Sequence, residues 1–511
     1  MRKTKLFNYH LIISIIGILL VINSMFMLFC LPFSLYYNED NWVAITAAAL
    51  INGIIGGGSF YYSQKKSPSK DLKKKDGYLI VTLGWIFISF FGGLPYLLSG
   101  DIPSLTDAFF ETLSGYSTTG ASVLTDIEAV GKGILLWRSL TQWIGGMGII
   151  VLTVAILPIL GIGGMQLFVA EAPGISPDKL QPRIKETAKR LWWVYLGLTF
   201  TEMILLMIGD MSFYDALNHA LTTMATGGFS TKNSSAAAMS PFIQYVIIIF
   251  MFIAGTNFTL NYYLFKGRFK DILKNEEFKY YASIVGGSTL LLSCIVFFAL
   301  STEGGKDFWE VIYAEWGSSI VLLERAEKSF RDVLFQVISI ITTTGYVSAD
   351  YTGWTTFATM WIFVLMFIGG MAGSTAGGVK IVRHIILQKN SFLELKRQLH
   401  PSAIIPVRFN HMAVSQSITY NVLGFIIAYF LTYALGILVM AAMGLDLLTA
   451  MGSVATCLGN IGPGLGTVGP VDNFAHLPDG AKWFLSFMML LGRLELTTVI
   501  IIFTPYFWKK V

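Results

Sequence analysis

Ten stretches of this chain carry roughly 20 apolar residues in succession, the length that crosses a bilayer as a helix. They lie near 10–36, 42–62, 78–99, 133–160, 190–209, 242–265, 280–300, 353–387, 415–443 and 482–508. Inside lipid every backbone polar group must be satisfied within the span or in a closed barrel, so runs of this length commit the chain to a bundle of transmembrane helices. Composition agrees: 54% of the 511 residues are hydrophobic and only 13% are charged, too little charge for a soluble domain of this size. The N-terminus starts basic, like a signal peptide. Its apolar run from Leu11 to Leu35 exceeds the roughly 7–15 residues of a signal core and reads as a retained first span.

Lys and Arg in short loops set the orientation. Segments 63–76, 178–190, 266–279 and 379–402 and the terminal "WKK" are basic, whereas loops such as "YNEDNW" (37–42) are acidic or neutral. Ten spans with both termini inside bring every basic loop to one side, giving a multi-pass protein of the cytoplasmic membrane with an inner face suited to lipid headgroups. Cys30, Cys294 and Cys457 are too far apart for a metal motif and read as small apolar side chains.

Four segments share one pattern: "DAFFETLSGYSTTGAS" from Asp107, "DALNHALTTMATGGFS" from Asp215, "DVLFQVISIITTTGYV" from Asp332 and "TAMGSVATCLGNIGPG" from Thr449. Each opens on Asp or Thr, a helix N-cap type, and reaches a glycine thirteen residues later, at 120, 228, 345 and 462. The repeated unit is a span, a short helix of about a dozen residues, a glycine loop and a second span. Two crossings per unit give all four copies one orientation. The expected fold is all-α and polytopic: two leading spans (1–76), then four parallel units (77–177, 178–279, 280–408 and 409–511) in a pseudo-fourfold ring, with the glycine loops at its centre.

Such a ring has a definite chemistry. Short helices pointing inward aim the negative ends of their dipoles at the centre, which favours a cation. Loop carbonyls replace the water shell of a dehydrated ion, and glycine supplies the positive φ that turns them inward. The candidate filter is Thr118, Thr119 and Gly120; Thr226, Gly227 and Gly228; Thr343, Thr344 and Gly345; Asn460, Ile461 and Gly462. No carboxylate stands beside a glycine, which argues for a large monovalent ion over a divalent one.

The interrupted eighth stretch, "MFIGGMAGSTAGGVKIVRH", holds Gly369, Gly370, Gly373, Gly377 and Gly378 with Ser374 and Thr375. Glycine costs about 1 kcal/mol relative to alanine at a helical position, so this segment is expected to unwind into an intramembrane loop below the filter. Gly373 and Gly378 have the outer spacing of a P-loop, but Val379 follows where that motif needs lysine. Arg493 is expected near the middle of the last span, where its charge costs roughly 2.5–3.5 kcal/mol. It should face the path as a positive barrier, or be neutralised by Glu495 or by carbonyls. Arg138, Gln142 and Trp143 form a streak expected to support the first loop. Lys380 and Arg383 are expected to snorkel at the cytosolic boundary. Glu111 and Glu495 are the acids expected near the path.

Over residues 78–511 the chain resembles the TrkH branch of the TrkH/KtrB/HKT superfamily of potassium transporters. The resemblance rests on "YSTTGAS", "WRSLTQWIGGMGI", "ATGGFST", "TTTGY", "GGMAGSTAGGVK", "GNIGPGLG" and "LGRLEL". It implies potassium bound by backbone carbonyls of the filter residues. It also implies a constriction formed by loop 369–380 with Arg493, a homodimer, and a separate TrkA-type ring that binds nucleotide. Gly120, where sodium-preferring plant relatives carry serine, implies potassium. The first functional expectation is channel-like potassium uptake, and the alternative is a proton- or sodium-coupled symporter. Neither an enzyme motif nor a cofactor or nucleic-acid site is evident, and the ion itself is the substrate.

Overall fold

The computed structural model describes residues 7–66, 74–151, 184–302, 319–403 and 405–509. The basic stretches 67–73 and 178–183, the expected end of the fourth span at 160 and the boundary at 177/178 lie outside them. Two leading helices, α1 (Tyr9–Tyr36) and α2 (Trp42–Lys66), meet where glycines let the backbones touch. A Cβ on Gly17 would lie 2.6 Å from the Gly56 carbonyl oxygen, and one on Gly56 would lie 2.6 Å from that of Gly17. This is small-residue packing in the absence of a hydrophobic drive between helices. Asn23 of α1 donates a hydrogen bond to Asn52 of α2 (3.2 Å) and accepts one from the Tyr116 hydroxyl at the end of the first short helix. The leading pair is thereby bonded to the first repeated unit.

That unit comprises α3 (Lys74–Gly92), α4 (Leu94–Ser99), the short α5 (Leu105–Tyr116) and α6 (Lys132–Val151). The second has α7 (Ile184–Ile208), the short α8 (Phe213–Met224), α9 (Pro241–Ala254) and α10 (Phe258–Phe265). The third has α11 (Glu276–Thr302), α12 (Ser319–Ile341), α13 (Thr356–Leu365) and α14 (Ile381–Leu399). The fourth has α15 (Gln416–Ala442), the short α16 (Leu447–Gly459), α17 (Asp479–Arg493) and α18 (Leu496–Ile500). A small hairpin, Arg408–Phe409 with Met412–Ala413, joins the last two units.

Among the described residues six helices are long and apolar enough to cross a membrane unaided, and the number rises to eight if each of two sharply bent pairs counts as one span. These pairs correct the expectation of straight sixth and tenth spans: α9 and α10 meet at 114°, and α17 and the helical segment after it at 116°. Asn257 stops the first, its side chain accepting from Thr259 N (2.8 Å) and so starting a new helix. At the second, Glu495 has φ 63°, so Arg493 ends a helix and stands at the bend.

The N-caps also lie elsewhere than expected. Ser104, Ser212 and Asp446 cap α5, α8 and α16, accepting from the amides of Asp107, Asp215 and Thr449. The aspartates stand three residues inside, where a carboxylate favours the positive end of the helix dipole. Asp332 caps nothing, because α12 runs unbroken from Ser319 through it. The charged stretch before Asp332 continues the helix, and Arg331 pairs with Glu327 one turn earlier (2.9 Å).

Candidate functional site

All four helices that lead into the glycine loops end alike. The amide of the first residue past the turn bonds three residues back, and the next amide bonds five residues back. Thr118 N reaches Gly115 O (2.9 Å) and Thr119 N reaches Ser114 O (2.9 Å). Thr226 and Gly227, Thr343 and Thr344, and Asn460 and Ile461 repeat the pattern. This is a Schellman C-cap, whose left-handed position normally holds glycine. Here it holds Thr118, Thr226, Thr343 and Asn460, at φ 51°, 54°, 54° and 54°. A β-branched residue in that region is a genuine outlier, costing about 1–3 kcal/mol each. Two residues on come Gly120, Gly228, Gly345 and Gly462, at φ 82°, 76°, 82° and 105°.

These glycines close a cycle. A Cβ on Gly120 would lie 2.2 Å from Gly227 O, on Gly228 2.0 Å from Thr344 O, on Gly345 1.9 Å from Ile461 O, and on Gly462 2.8 Å from Thr119 O. Each loop thus lays a carbonyl where its neighbour's side chain would be, from unit one through four and back to one. Beyond the ring, all four glycines line a single cavity of about 100 Å³, walled by residues that follow them, such as Ser122, Phe229 and Pro463.

Bracing around the ring differs from unit to unit. In the first and third loops hydroxyls bond each other: Ser117 with Thr119 (2.6 Å) and Thr342 with Thr344 (2.7 Å). The second loop has Ala225 and Gly227 at those positions. Gln142 of α6 takes over, donating to Gly227 O (2.7 Å) and accepting from Phe229 N (3.1 Å). In the fourth, Asn460 donates to Thr119 Oγ1 (2.9 Å) and Met489 O (3.0 Å). The streak expected to serve the first loop therefore serves two, because α6 packs between units. Arg138 donates to Glu111 (2.7 Å) and Ser230 O (3.1 Å), while Trp143 turns to Thr199. Glu111 is fully engaged, accepting from Arg138, Ser122 (3.0 Å) and Val123 N (2.8 Å). His219 holds the matching place in the second unit and bonds Ser230 (3.0 Å); Gln336 does so in the third, bonding Ser348 (3.3 Å). On the rim, Asn233 donates to Asp126 and holds its carboxyl below the usual range.

The loop expected at 369–380 is present between α13 and α14. Its base is closed by Gly369 N to Val379 O (2.9 Å) and Ile381 N to Gly370 O (3.2 Å). One flank docks on the bend of the second unit: Met371 N bonds Gly255 O (2.9 Å), Phe258 N bonds Gly373 O (3.1 Å), and Asn257 donates to Ala372 O (2.7 Å). Glu277 accepts from Ala372 N (2.8 Å) and Val382 N (3.2 Å). The tip meets the residues that precede the glycines, on the face of the ring opposite the cavity. Thr375 donates to Met224 O (3.1 Å), and Thr343 Oγ1 accepts from Gly377 N (2.6 Å). A Cβ on Gly377 would lie 2.7 Å from Gly459 O. Ser374 turns back to Met371 O (2.5 Å), and Gly378 has φ 64°.

Arg493 is 4% exposed. It donates to Thr375 O (3.0 Å) in the loop and to Gly145 O (3.1 Å) in the first unit, so carbonyls meet its charge and Glu495 does not. Glu495 instead accepts from Arg383 at both oxygens (2.7 and 2.8 Å). Arg383 is itself 2% exposed and stacked on Phe425, and does not snorkel. Lys380 bonds Ala376 O within the loop. Cys30, Cys294 and Cys457 are unpaired, and no cluster of metal-ligating side chains occurs among the described residues.

Three supporting acids and amides escaped the sequence reading. Asn257 and Glu277 depend on contacts that spacing does not reveal. Glu202 had a signal, a lone acid within the apolar run of α7. It is fully buried, and neither carboxylate oxygen has a hydrogen-bond partner among the described residues; the neighbouring Thr223 hydroxyl donates to His219 O (2.7 Å).

An almost wholly helical membrane bundle built around a closed four-loop ring, with an unwound loop and a buried arginine against one face, defines the class as a polytopic transport protein. The TrkH family model, described as a cation transport protein, matches residues 43–510, and the chain belongs to that family. It is 37% identical to the Trk system potassium uptake protein TrkH of Halomonas elongata over 98% of this chain and all of that protein. It is also 37% identical to its counterpart in Escherichia coli, with the same coverage. The crystal structure of the potassium transporter TrkH from Vibrio parahaemolyticus superposes with a TM-score of 0.84 at 35% identity, covering 98% of this chain and 100% of that one.

Proposed function

We propose that this protein carries potassium into the cell, down its electrochemical gradient, through the ring of Thr118–Gly120, Thr226–Gly228, Thr343–Gly345 and Asn460–Gly462. The observation that carries the reading is the closed cycle of carbonyls against glycines. The strain held at the three left-handed threonines, Thr118, Thr226 and Thr343, supports it, since such strain collects at functional sites. Carbonyls without a carboxylate suit a large monovalent cation that exchanges its water for them. The names of the relatives, potassium uptake proteins of a Trk system, point the same way.

Loop 369–380 and Arg493 act as the gate. The loop touches the second, third and fourth units, and the arginine adds the first. Movement of the loop therefore has to break bonds shared with the ring. Arg493→Ala should raise basal flux in proteoliposomes; unchanged or lower flux from well-folded protein would remove the arginine from the gate.

Selectivity is tested by comparing potassium, rubidium and sodium flux in wild type and Gly345→Ser. The serine Cβ would meet Ile461 O at 1.9 Å, so discrimination against sodium should fall. Equal potassium and sodium rates in the wild type would defeat the proposal. A coupled symport is the second reading, supported by Glu202 buried without a hydrogen-bond partner. Potassium flux accompanied by stoichiometric proton or sodium movement, lost in Glu202→Gln, would favour it. The protein works in the cytoplasmic membrane with both termini inside, as a homodimer joined on its basic face by a TrkA-type nucleotide-binding ring. Co-purification in mild detergent tests both partners, and a clean monomer would count against them.

A further inference from the structure

A groove of about 560 Å³ opens between α1, α6, α7 and α8 on the outer surface of the bundle. Ile22, Phe29 and Phe33 form one wall, Phe200 the other, and Trp143 and Leu221 the floor. The polar atoms of the floor are satisfied internally: the Trp143 indole donates to Thr199 Oγ1 (3.4 Å), and Thr199 donates to Tyr195 O (2.9 Å). Water entering would find too few partners to stay. Phe29 and Phe200 are each 54% exposed at the rim, at a depth where the surrounding medium is hydrocarbon.

Length and charge narrow the occupant. Ile22 to Phe33 covers about 16 Å of helix at 1.5 Å per residue, roughly half of the hydrocarbon core and so one leaflet. The Phe33 end is polar. Phe33 lies beside Tyr214 (6.2 Å), and the Lys132 ammonium rests over the rings of Tyr214 (4.9 Å) and Tyr37 (5.5 Å). The nearby Glu39 carboxylate is occupied by the amides of Lys132 and Gly133 and by the Asn41 side chain. An apolar slot one leaflet long, with a cation at its interfacial end, has the chemistry of a phospholipid.

We propose that one glycerophospholipid binds here, an acyl chain in the groove and its phosphodiester at Lys132. Trp143 on the floor adjoins Gln142, which holds the second filter loop, so the bound chain backs the side of the ring that lacks hydroxyls of its own.

The test is native mass spectrometry of the full protein released from mild detergent and supplied with palmitoyl-oleoyl phosphatidylglycerol. Wild type should retain about one lipid per chain, given a single site. Filling the groove with Met25→Trp and Met203→Trp should abolish retention, and Lys132→Gln should lower it several-fold, each in protein that stays monodisperse. Equal retention in all three proteins, or none in wild type, overturns the proposal. Met25→Cys checks the rival occupant: efficient disulfide formation between two chains would mean that a second copy covers the groove, which also overturns it.

Discussion

The first and third glycine loops are braced from within, whereas the second and fourth are tied to residues outside the loop. Ser117 with Thr119, and Thr342 with Thr344, are hydroxyl pairs inside one loop. The second loop has small residues at both places and leans on Gln142 from another unit; the fourth reaches out with Asn460 to Thr119 and Met489. Backbone shape is nevertheless the same in all four, as the φ values and paired amide bonds record. The ring therefore demands a conformation and leaves open which side chains enforce it. Units one and three use short side chains close at hand, unit two uses an amide that arrives from a neighbour, and unit four sends its own amide outward.

Exchanging one kind of bracing for the other gives the largest expected effect. Gly227→Thr restores the missing hydroxyl, but its Cβ would lie 2.3 Å from Gln142 Cδ, so alone it should abolish selective flux. In a Gln142→Ala background the clash is gone and flux should return in part, with a coupling of about 0.5–3 kcal/mol between the sites in thermal melts. A double variant no better than the single would mean that the amide does more than fill space. Asn460→Ala is next. It leaves Met489 O without its side-chain donor and removes a residue tolerant of the left-handed region. A loss of about 1–3 kcal/mol in stability and a lower potassium-to-sodium flux ratio are expected. Smallest is Thr344→Val, because Thr342 keeps its bond to Ile338 O (2.7 Å). About 0.5–1.5 kcal/mol and an almost unchanged ratio are expected, and a large loss would place the hydroxyl on the ion path.

The ring was legible because its constraint is written at fixed intervals: a helix of set length and a glycine at a set place leave the same trace four times. The unwound loop was legible from five glycines in ten residues. The bends were not. Residues 241–265 carry no charge, and no proline marks the turn at Gly255–Asn257; the bend is set by Asn257, which caps the next helix, and the loop from the third unit hydrogen-bonds there. The length of α12 was missed because Asp332 read as an N-cap, although the charged residues before it continue the helix. Arg383 and Glu495, 112 positions apart, have no spacing signature, and their pairing moved Glu495 away from the arginine it was expected to neutralise. The three threonines at left-handed positions were legible only by their place two residues before each glycine, and their strain shows only in the backbone.

The cycle of glycines has a direction. Each loop is blocked by the carbonyl of the unit that follows it, and in turn blocks the unit before. Inheritance is affected by this. Were the four quarters separate identical subunits, a mutation would strike every contact at once, and the ring would keep its form or lose it whole. Joined in one chain, each quarter is free to drift alone, provided it still suits a single neighbour on each side. The odd "GNIGPG" beside three threonine loops is the trace such drift leaves, and a fused ring is where an asymmetric ion path is able to arise one quarter at a time.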